Sequence, residues 1–230
     1  MKIAPMKVEL IDSMGSDLSV VNAARVSFAK ESQWEYCHED GVHPFDQFKE
    51  LSEKDQKLIT YLATHNHWSP FAHAFLSFRI KAPIFVARQL VKHQVGLSWN
   101  EVSRRYVDDE PEFWFPEVWR GKPVNAKQGS NGIVDLSRPE MLGASDASSY
   151  CLFIYQTLLN EGVAPEQARM VLPQNTMTEW IWSGSLAAFA RVCKLRLDPH
   201  AQQETQEIAK QINGLVPQEF TYSWKALLDG

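Results

Sequence analysis

Residues 74–83 constrain the fold of this chain more than any other stretch. Ala74, Leu76, Phe78 and Ile80 alternate with Phe75, Ser77, Arg79 and Lys81, which is the period of a strand. Pro83 then stands where a helix starts, and Ile84 to His93 carries that helix forward. A second signal lies near the other end. Leu186, Phe189, Ala190 and Cys193 fall at i, i+3, i+4 and i+7, the apolar stripe of a helix with one buried face.

The remaining segments fit around these two. Val8 and Leu10 alternate with polar residues in a first strand, and residues 16–29 read as a helix carrying Val20, Val21, Ala24 and Val26. Residues 30–47 are polar and aromatic without a period, as in a loop or insertion. Ser52 and Asp55 resemble a capping box for a helix reaching about Thr64. His65 to His73 is a short loop, Gly96 breaks the pattern, and Asn100 to Val107 alternates again. Residues 108–147, rich in Pro, Gly, Asp and Ser, read as a long excursion rather than a core element. A helix from about Ala147 to Asn160, another opened by Pro165, a strand at Thr176–Trp182 and two closing helices near 200–213 and 217–228 complete the chain. Strands and helices without regular βαβ alternation favour an α+β fold, a mixed sheet flanked by helices in a single domain over residues 1–230.

Charge and cysteine usage narrow the function classes. The net charge is −5 and the pI about 5.8, so no global basic field draws the chain to nucleic acid or an anionic membrane. An anionic ligand must therefore be held by local arginines. The N-terminus lacks the apolar run of a signal peptide, and no stretch approaches the roughly 18 apolar residues of a membrane span. Cys37, Cys151 and Cys193 are an odd number without a CxxC, which points to free thiols in a reducing, cytoplasmic setting.

Two segments carry polar residues that folding alone does not demand. On the helix expected after Pro83, Gln89, Lys92 and His93 share a face at i, i+3 and i+4. On the following strand, Glu101, Ser103 and Arg105 share a face at i, i+2 and i+4. Together they can accept, donate and clamp a phosphate, although a solvated Glu–Arg face has the same pattern. Arg196, between Leu195 and Leu197 where the later helix ends, is either a capping cation or a ligand. His65, His67 and His73 cluster, but no carboxylate stands beside them at a metal-site spacing, so hydrogen bonding within a loop is preferred and no metal is expected.

At these residues a family resemblance emerges. PIFVARQLVKHQVGLSWNEVSRRYV (83–107) resembles the signature region of flavin-dependent thymidylate synthases, usually written RHRxxSxNExSxR, with Ser98, Asn100, Glu101, Ser103 and Arg105 intact. HNHWSPFAH (65–73), ARMVLPQN (168–175) and LRLDPHAQ (195–202) resemble three further blocks of that family, in the same order. Departures are Lys92-His93-Gln94 for Arg-His-Arg, one extra residue before Ser98, Ala72 for an acidic residue, and Ser185 and Arg191 where asparagines are common.

The resemblance implies a homotetramer with sites where subunits meet. It implies conversion of dUMP to dTMP with FAD as hydride carrier, and with NADPH and methylene-tetrahydrofolate as co-substrates. Position by position it places Gln89, Leu90, Val91 and Lys92 against dUMP, with Glu101, Val102, Ser103, Arg104 and Arg105, and with Arg169 and Arg196. Against FAD and folate it places His67, Ser69, Lys92, His93, Gln94, Glu101, Ser185 and Arg191. Arg196 is the catalytic candidate, because a fixed guanidinium at the N3/O4 edge of uracil stabilises charge building on the ring. Folate-dependent synthases without flavin use a cysteine, commonly in Pro-Cys-His, whereas Tyr36 precedes Cys37-His38 here. Ser103 has no evident base beside it and is read as a binding residue. Two other classes compete: a single-stranded nucleic-acid module using Arg104, Arg105 and the tryptophans, and a metal-dependent nucleotide hydrolase using the histidines.

Overall fold

The computed structural model describes residues 1–38, 47–124, 129–136 and 138–230. In chain order the elements are β1 (Lys2–Ile3), β2 (Lys7–Met14), α1 (Asp17–Arg25), β3 (Glu35–His38), β4 (Gln47–Glu50), α2 (Glu53–Thr64), β5 (Phe75–Pro83) and α3 (Ile84–Leu90). There follow β6 (Leu97–Glu101), β7 (Glu112–Phe113), β8 (Arg120–Gly121), β9 (Asn131–Ile133), α4 (Arg138–Asn160), α5 (Pro165–Ala168), β10 (Met177–Ser185), α6 (Leu186–Arg196), α7 (Gln203–Leu215) and α8 (Thr221–Asp229).

The central sheet runs β2-β5-β10-β6 with every neighbour antiparallel. A short parallel pair, β1 with β7, stands apart from it. The alternation along β5 is realised: Leu76, Phe78, Ile80 and Ala82 are buried, and so are their partners Trp180 and Trp182 on β10. The opposite face carries Ser77 hydrogen-bonded to Ser183 (2.7 Å) and Arg79 paired with Glu179 (3.1 Å). The apolar stripe of α6 packs on the buried face, where Phe189 meets Phe78 and Trp182 edge-on at 5.0 and 5.3 Å. Each such ring pair adds ~0.5–1.5 kcal/mol beyond its buried area. Val20 and Val21 of α1, Ile59 of α2, Val86 and Leu90 of α3 and Ile208 and Ile212 of α7 close the same core.

Serine and aspartate side chains set the helix ends. Ser16 and Ser19 form a reciprocal capping box on α1, Ser52 caps α2 and Ser185 caps α6. The cap of α8 comes from another helix. Asp17, buried at the start of α1, accepts the backbone N–H groups of Tyr222 (2.9 Å) and Ser223 (2.8 Å). Burial raises its carboxyl above the ordinary value, and the hydrogen bonds from Ser223 and Tyr222 only partly offset that. Arg25 and Asp55, which join α1 to α2, show the reverse balance. Burial alone would raise the Asp55 carboxyl, but hydrogen bonds from Arg25, Ser52 and Ser32 hold it below its usual value.

Four local expectations are corrected. The stretch 30–47 carries β3, which pairs antiparallel with β4 (Gln47–Glu50), and residues 39–46 lie outside the described residues. α3 stops at Leu90 rather than His93, because the chain must reverse over 91–96 for Leu97 to pair with Gly184. β6 stops at Glu101 rather than Val107: Val102 N–H still reaches Glu179 O (2.8 Å), but Ser103 to Tyr106 is a turn. The 108–147 excursion contributes to the interior. Phe113 is fully buried with Leu152, Tyr155 and Ala168, and α4 begins at Arg138, well before Ala147. Arg120 ties the excursion to the first turn of α7 through Gln203 (2.8 Å) and Glu204 (2.5 Å); residues 125–128 and 137 lie outside the description.

The Asp17 cap gives a direct test. Asp17→Ala leaves two buried N–H groups without an acceptor and is expected to cost ~1–3 kcal/mol in urea unfolding. An unchanged midpoint would show that α8 does not depend on this contact.

Candidate active site

The loop between α3 and β6 is seated against the β10–α6 junction by two glycines. Gly96 has φ of +75°, and its carbonyl accepts the Ser185 N–H (3.1 Å). A Cβ on Gly184 would lie 2.4 Å from the Gly96 oxygen and 2.6 Å from the Leu97 side chain, so only glycine allows this approach. Ser185 caps α6 by accepting the Ala188 N–H (3.2 Å). Above this seat opens a cleft of about 700 Å³, whose walls include Trp68, Val95, Gly96, Ser98, Ser185 and Arg191.

Two arginines of α6 reach back to the loop. Arg191 donates from Nη2 to the Val95 carbonyl (2.7 Å), and Arg196 donates from Nε to His93 Nε2 (3.0 Å). Because Nε2 accepts, the proton of the neutral imidazole is on Nδ1. Burial, and then the positive charges of Arg196 and Arg191, lower the His93 pKa below its ordinary 6.5. Burial also lowers Arg196, though a guanidinium remains charged at any working pH.

A second cleft, of about 310 Å³, opens beside the end of β6 and is lined by Glu101, Val102, Arg104 and Arg169 among others. Glu101 accepts from Thr178 Oγ1 (2.7 Å) and from Trp99 Nε1 (3.1 Å). Arg104 donates to the Asp109 carbonyl (2.8 Å), while the side chain of exposed Arg169 donates through Nε to the Glu166 carbonyl (3.2 Å). Arg105 lies over the Tyr106 ring at 4.9 Å and donates to Ser103 Oγ (3.2 Å).

Other sequence candidates are placed as follows. Gln89 is on α3 and accepts from Thr205 Oγ1 of α7 (3.1 Å). Leu90 is buried in the main core, Val91 caps α3, and Lys92 and Gln94 are exposed on the loop. Gln89, Lys92 and His93 therefore do not share a helix face, nor do Glu101, Ser103 and Arg105 share a strand face, for the reasons given above. Ser69 is exposed before Pro70. His67 packs edge-on to Tyr61 (5.9 Å), and His65 is hydrogen-bonded to the Tyr61 carbonyl (2.9 Å). Among the described residues, no three His, Cys, Asp or Glu side chains gather as metal ligands. The sequence reading missed Trp68, Val95 and Gly184 as parts of the first cleft. The strand expected at Thr176–Trp182 runs on to Ser185, which puts Gly184 inside it, and a glycine within a strand marks a close backbone approach.

An antiparallel sheet with helices on its core face, and arginine-lined clefts beside its edge strand, is an α+β scaffold suited to anions. The family described as thymidylate synthase complementing protein matches residues 9–220. A flavin-dependent thymidylate synthase of Thermosipho africanus is 36% identical over 225 residues, covering 96% of this chain and 90% of the relative. One from Thermus thermophilus is 37% identical over 228 residues, covering 97% and 77%. The crystal structure of a UMP/dUMP methylase, PolB from Streptomyces cacaoi, bound with 5-Br dUMP, superposes with a TM-score of 0.81 at 29% identity, covering 100% of this chain and 97% of that one. The chain belongs to the flavin-dependent thymidylate synthase family.

The glycine seat is testable without ligand. Gly184→Ala forces a methyl group against the Gly96 carbonyl and the Leu97 side chain and is expected to destabilise the fold by ~1–3 kcal/mol. Gly143→Ala, on α4 with nothing within 4 Å of the added methyl, is expected to be neutral or stabilising by up to ~1 kcal/mol. Equal melting temperatures for the two variants would contradict the seat.

Proposed function

We propose that this protein is a thymidylate synthase that reductively methylates dUMP to dTMP, taking the carbon from methylene-tetrahydrofolate and using FAD reduced by NADPH. Family membership over nearly the whole chain carries the reading. The first cleft fits the cofactor: exposed Trp68 and Val95 as apolar walls, and Arg191 at the rim, suit a flat ring system and its phosphates. His67, Ser69, Lys92, His93, Gln94, Glu101, Ser185 and Arg191 are the residues proposed to hold FAD and folate. The flavin, when bound and reduced, supplies the hydride that completes the methyl group.

The chain's own residues bind, orient and stabilise charge. Arg104 and Arg169 face the second cleft and, with Ser103 and Arg105, are proposed to clamp the nucleotide phosphate. Gln89, held by Thr205, is proposed to read the base. Arg196 is proposed to stabilise negative charge on the uracil ring as C5 becomes nucleophilic. No cysteine is needed for this. Burial pushes the Cys193 thiol up to about 12, the wrong direction for a nucleophile, and the Cys37 and His38 side chains lie outside the described residues.

Ser185 and Arg191 line the first cleft and Glu101, Arg104 and Arg169 the second, and Val95 is 78% and Trp68 62% exposed at the first. Both features support a homotetramer in which clefts of different subunits meet to complete each site. No helix among the described residues is long and apolar enough to cross a membrane, and the proposed setting is the cytoplasm.

Steady-state kinetics of dTMP formation separate the arginines. Arg169→Ala is expected to raise KM for dUMP more than it lowers kcat, because a phosphate clamp acts before and during reaction. Arg196→Ala is expected to lower kcat chiefly, by ~10²–10³-fold. A normal kcat in Arg196→Ala would return that residue to a plain helix-terminal cation.

A further inference from the structure

A charged arginine can be oriented by a carboxylate or by a neutral acceptor, and the two have opposite electrostatic consequences. A carboxylate fixes the guanidinium but cancels most of its field. A neutral ring nitrogen or carbonyl fixes it and leaves the charge available to a ligand. Among the described residues no carboxylate touches Arg191 or Arg196. Both are tied instead to neutral acceptors of one loop, Val95 O at 2.7 Å and His93 Nε2 at 3.0 Å. That loop is itself fixed by Gly96 and Gly184.

We propose that His93 is a positioning residue for Arg196: its Nε2 accepts the Arg196 Nε–H and sets the plane of the guanidinium without discharging it. The two Nη groups of Arg196 take no other partner among the described residues, so the outer edge of the fork remains for substrate. This rests on the reading of Arg196 as the group that stabilises charge on the uracil ring, and it gives His93 a task beyond flavin contact.

The arrangement exists only while His93 is neutral. The charged groups facing it are Arg191 and Arg196 from α6, with Lys92 beside it in its own loop; Gln94 brings no charge. Protonation puts a hydrogen on both ring nitrogens, removes the acceptor and sets an imidazolium against two guanidiniums. With the folded pKa depressed, the neutral form is complete above the ordinary imidazole value. The positioning is then lost as pH falls through the depressed one.

Two measurements test this separately. In the protein without substrates, nitrogen NMR of the imidazole is expected to show Nδ1 protonated and Nε2 bare, with Arg196 Hε coupled across to Nε2. In Arg196→Gln the His93 pKa is expected to rise. A protonated Nε2, or no coupling, overturns the hydrogen bond whatever the enzyme catalyses. In the flavin-loaded enzyme at matched flavin content, His93→Leu is expected to lower kcat ~10–100-fold, the loss of one hydrogen bond to a charged group. His93→Gln, whose side-chain oxygen is a neutral acceptor that does not titrate, is expected to recover part of that loss and to lack the wild-type fall in kcat at acid pH. An acid limb that persists in His93→Gln, or a normal kcat in His93→Leu, overturns the positioning role. Failure of the wild type to make dTMP would overturn the functional reading and leave the NMR result to judge the contact.

Discussion

The close approach of Gly184 to Gly96 is the contact on which the site depends. It brings the 91–97 loop down onto the point where β10 turns into α6, with no room for a Cβ on Gly184. The left-handed Gly96 then sends the chain into β6, and its carbonyl takes the N–H of the serine that caps α6. From this seat Val95 and His93 present neutral acceptors to Arg191 and Arg196. A methyl group on Gly184 would displace the loop and release both arginines together.

The same seat explains why the chain needs so little overall positive charge. The net charge of −5 would repel a nucleotide at long range, so attraction has to be local. Two guanidiniums held by uncharged acceptors create that local field, and the partial burial of Arg196 strengthens its share. The second cleft is different in kind. Arg104 there is partly neutralised by Asp109, and Arg169 is left exposed. Arg191, on the first cleft, keeps its charge undischarged by any carboxylate among the described residues, and Arg169, exposed at the second, suits capture of a phosphate.

Much of the framework was legible in the sequence, because it rests on short-range periodicity. The β5 alternation, the α6 stripe, the Ser52 cap and the Pro83 junction all appear as read. What failed was set by distant partners. Nothing near Leu90 says that the helix must end there; the pairing of Leu97 with Gly184, far along the chain, decides it. Phe113 sits in a Pro- and Asp-rich stretch yet is fully buried, because Thr176, α4 and Ala168 supply its environment. The resemblance pointed to His93 and Arg196 in separate motifs, but the 3.0 Å contact between them belongs to the tertiary structure. Gly184 lay beyond the strand expected at Thr176–Trp182, which the structure extends to Ser185.

The central claim is that the hydride completing the methyl group comes from reduced flavin and not from folate. The direct measurement uses methylene-tetrahydrofolate deuterated at C6, with dUMP, FAD and NADPH, and mass analysis of the products. With flavin as the hydride source, the dTMP methyl group carries no deuterium and tetrahydrofolate retains it. Deuterium in the dTMP methyl group, with dihydrofolate formed in equal amount, would contradict it.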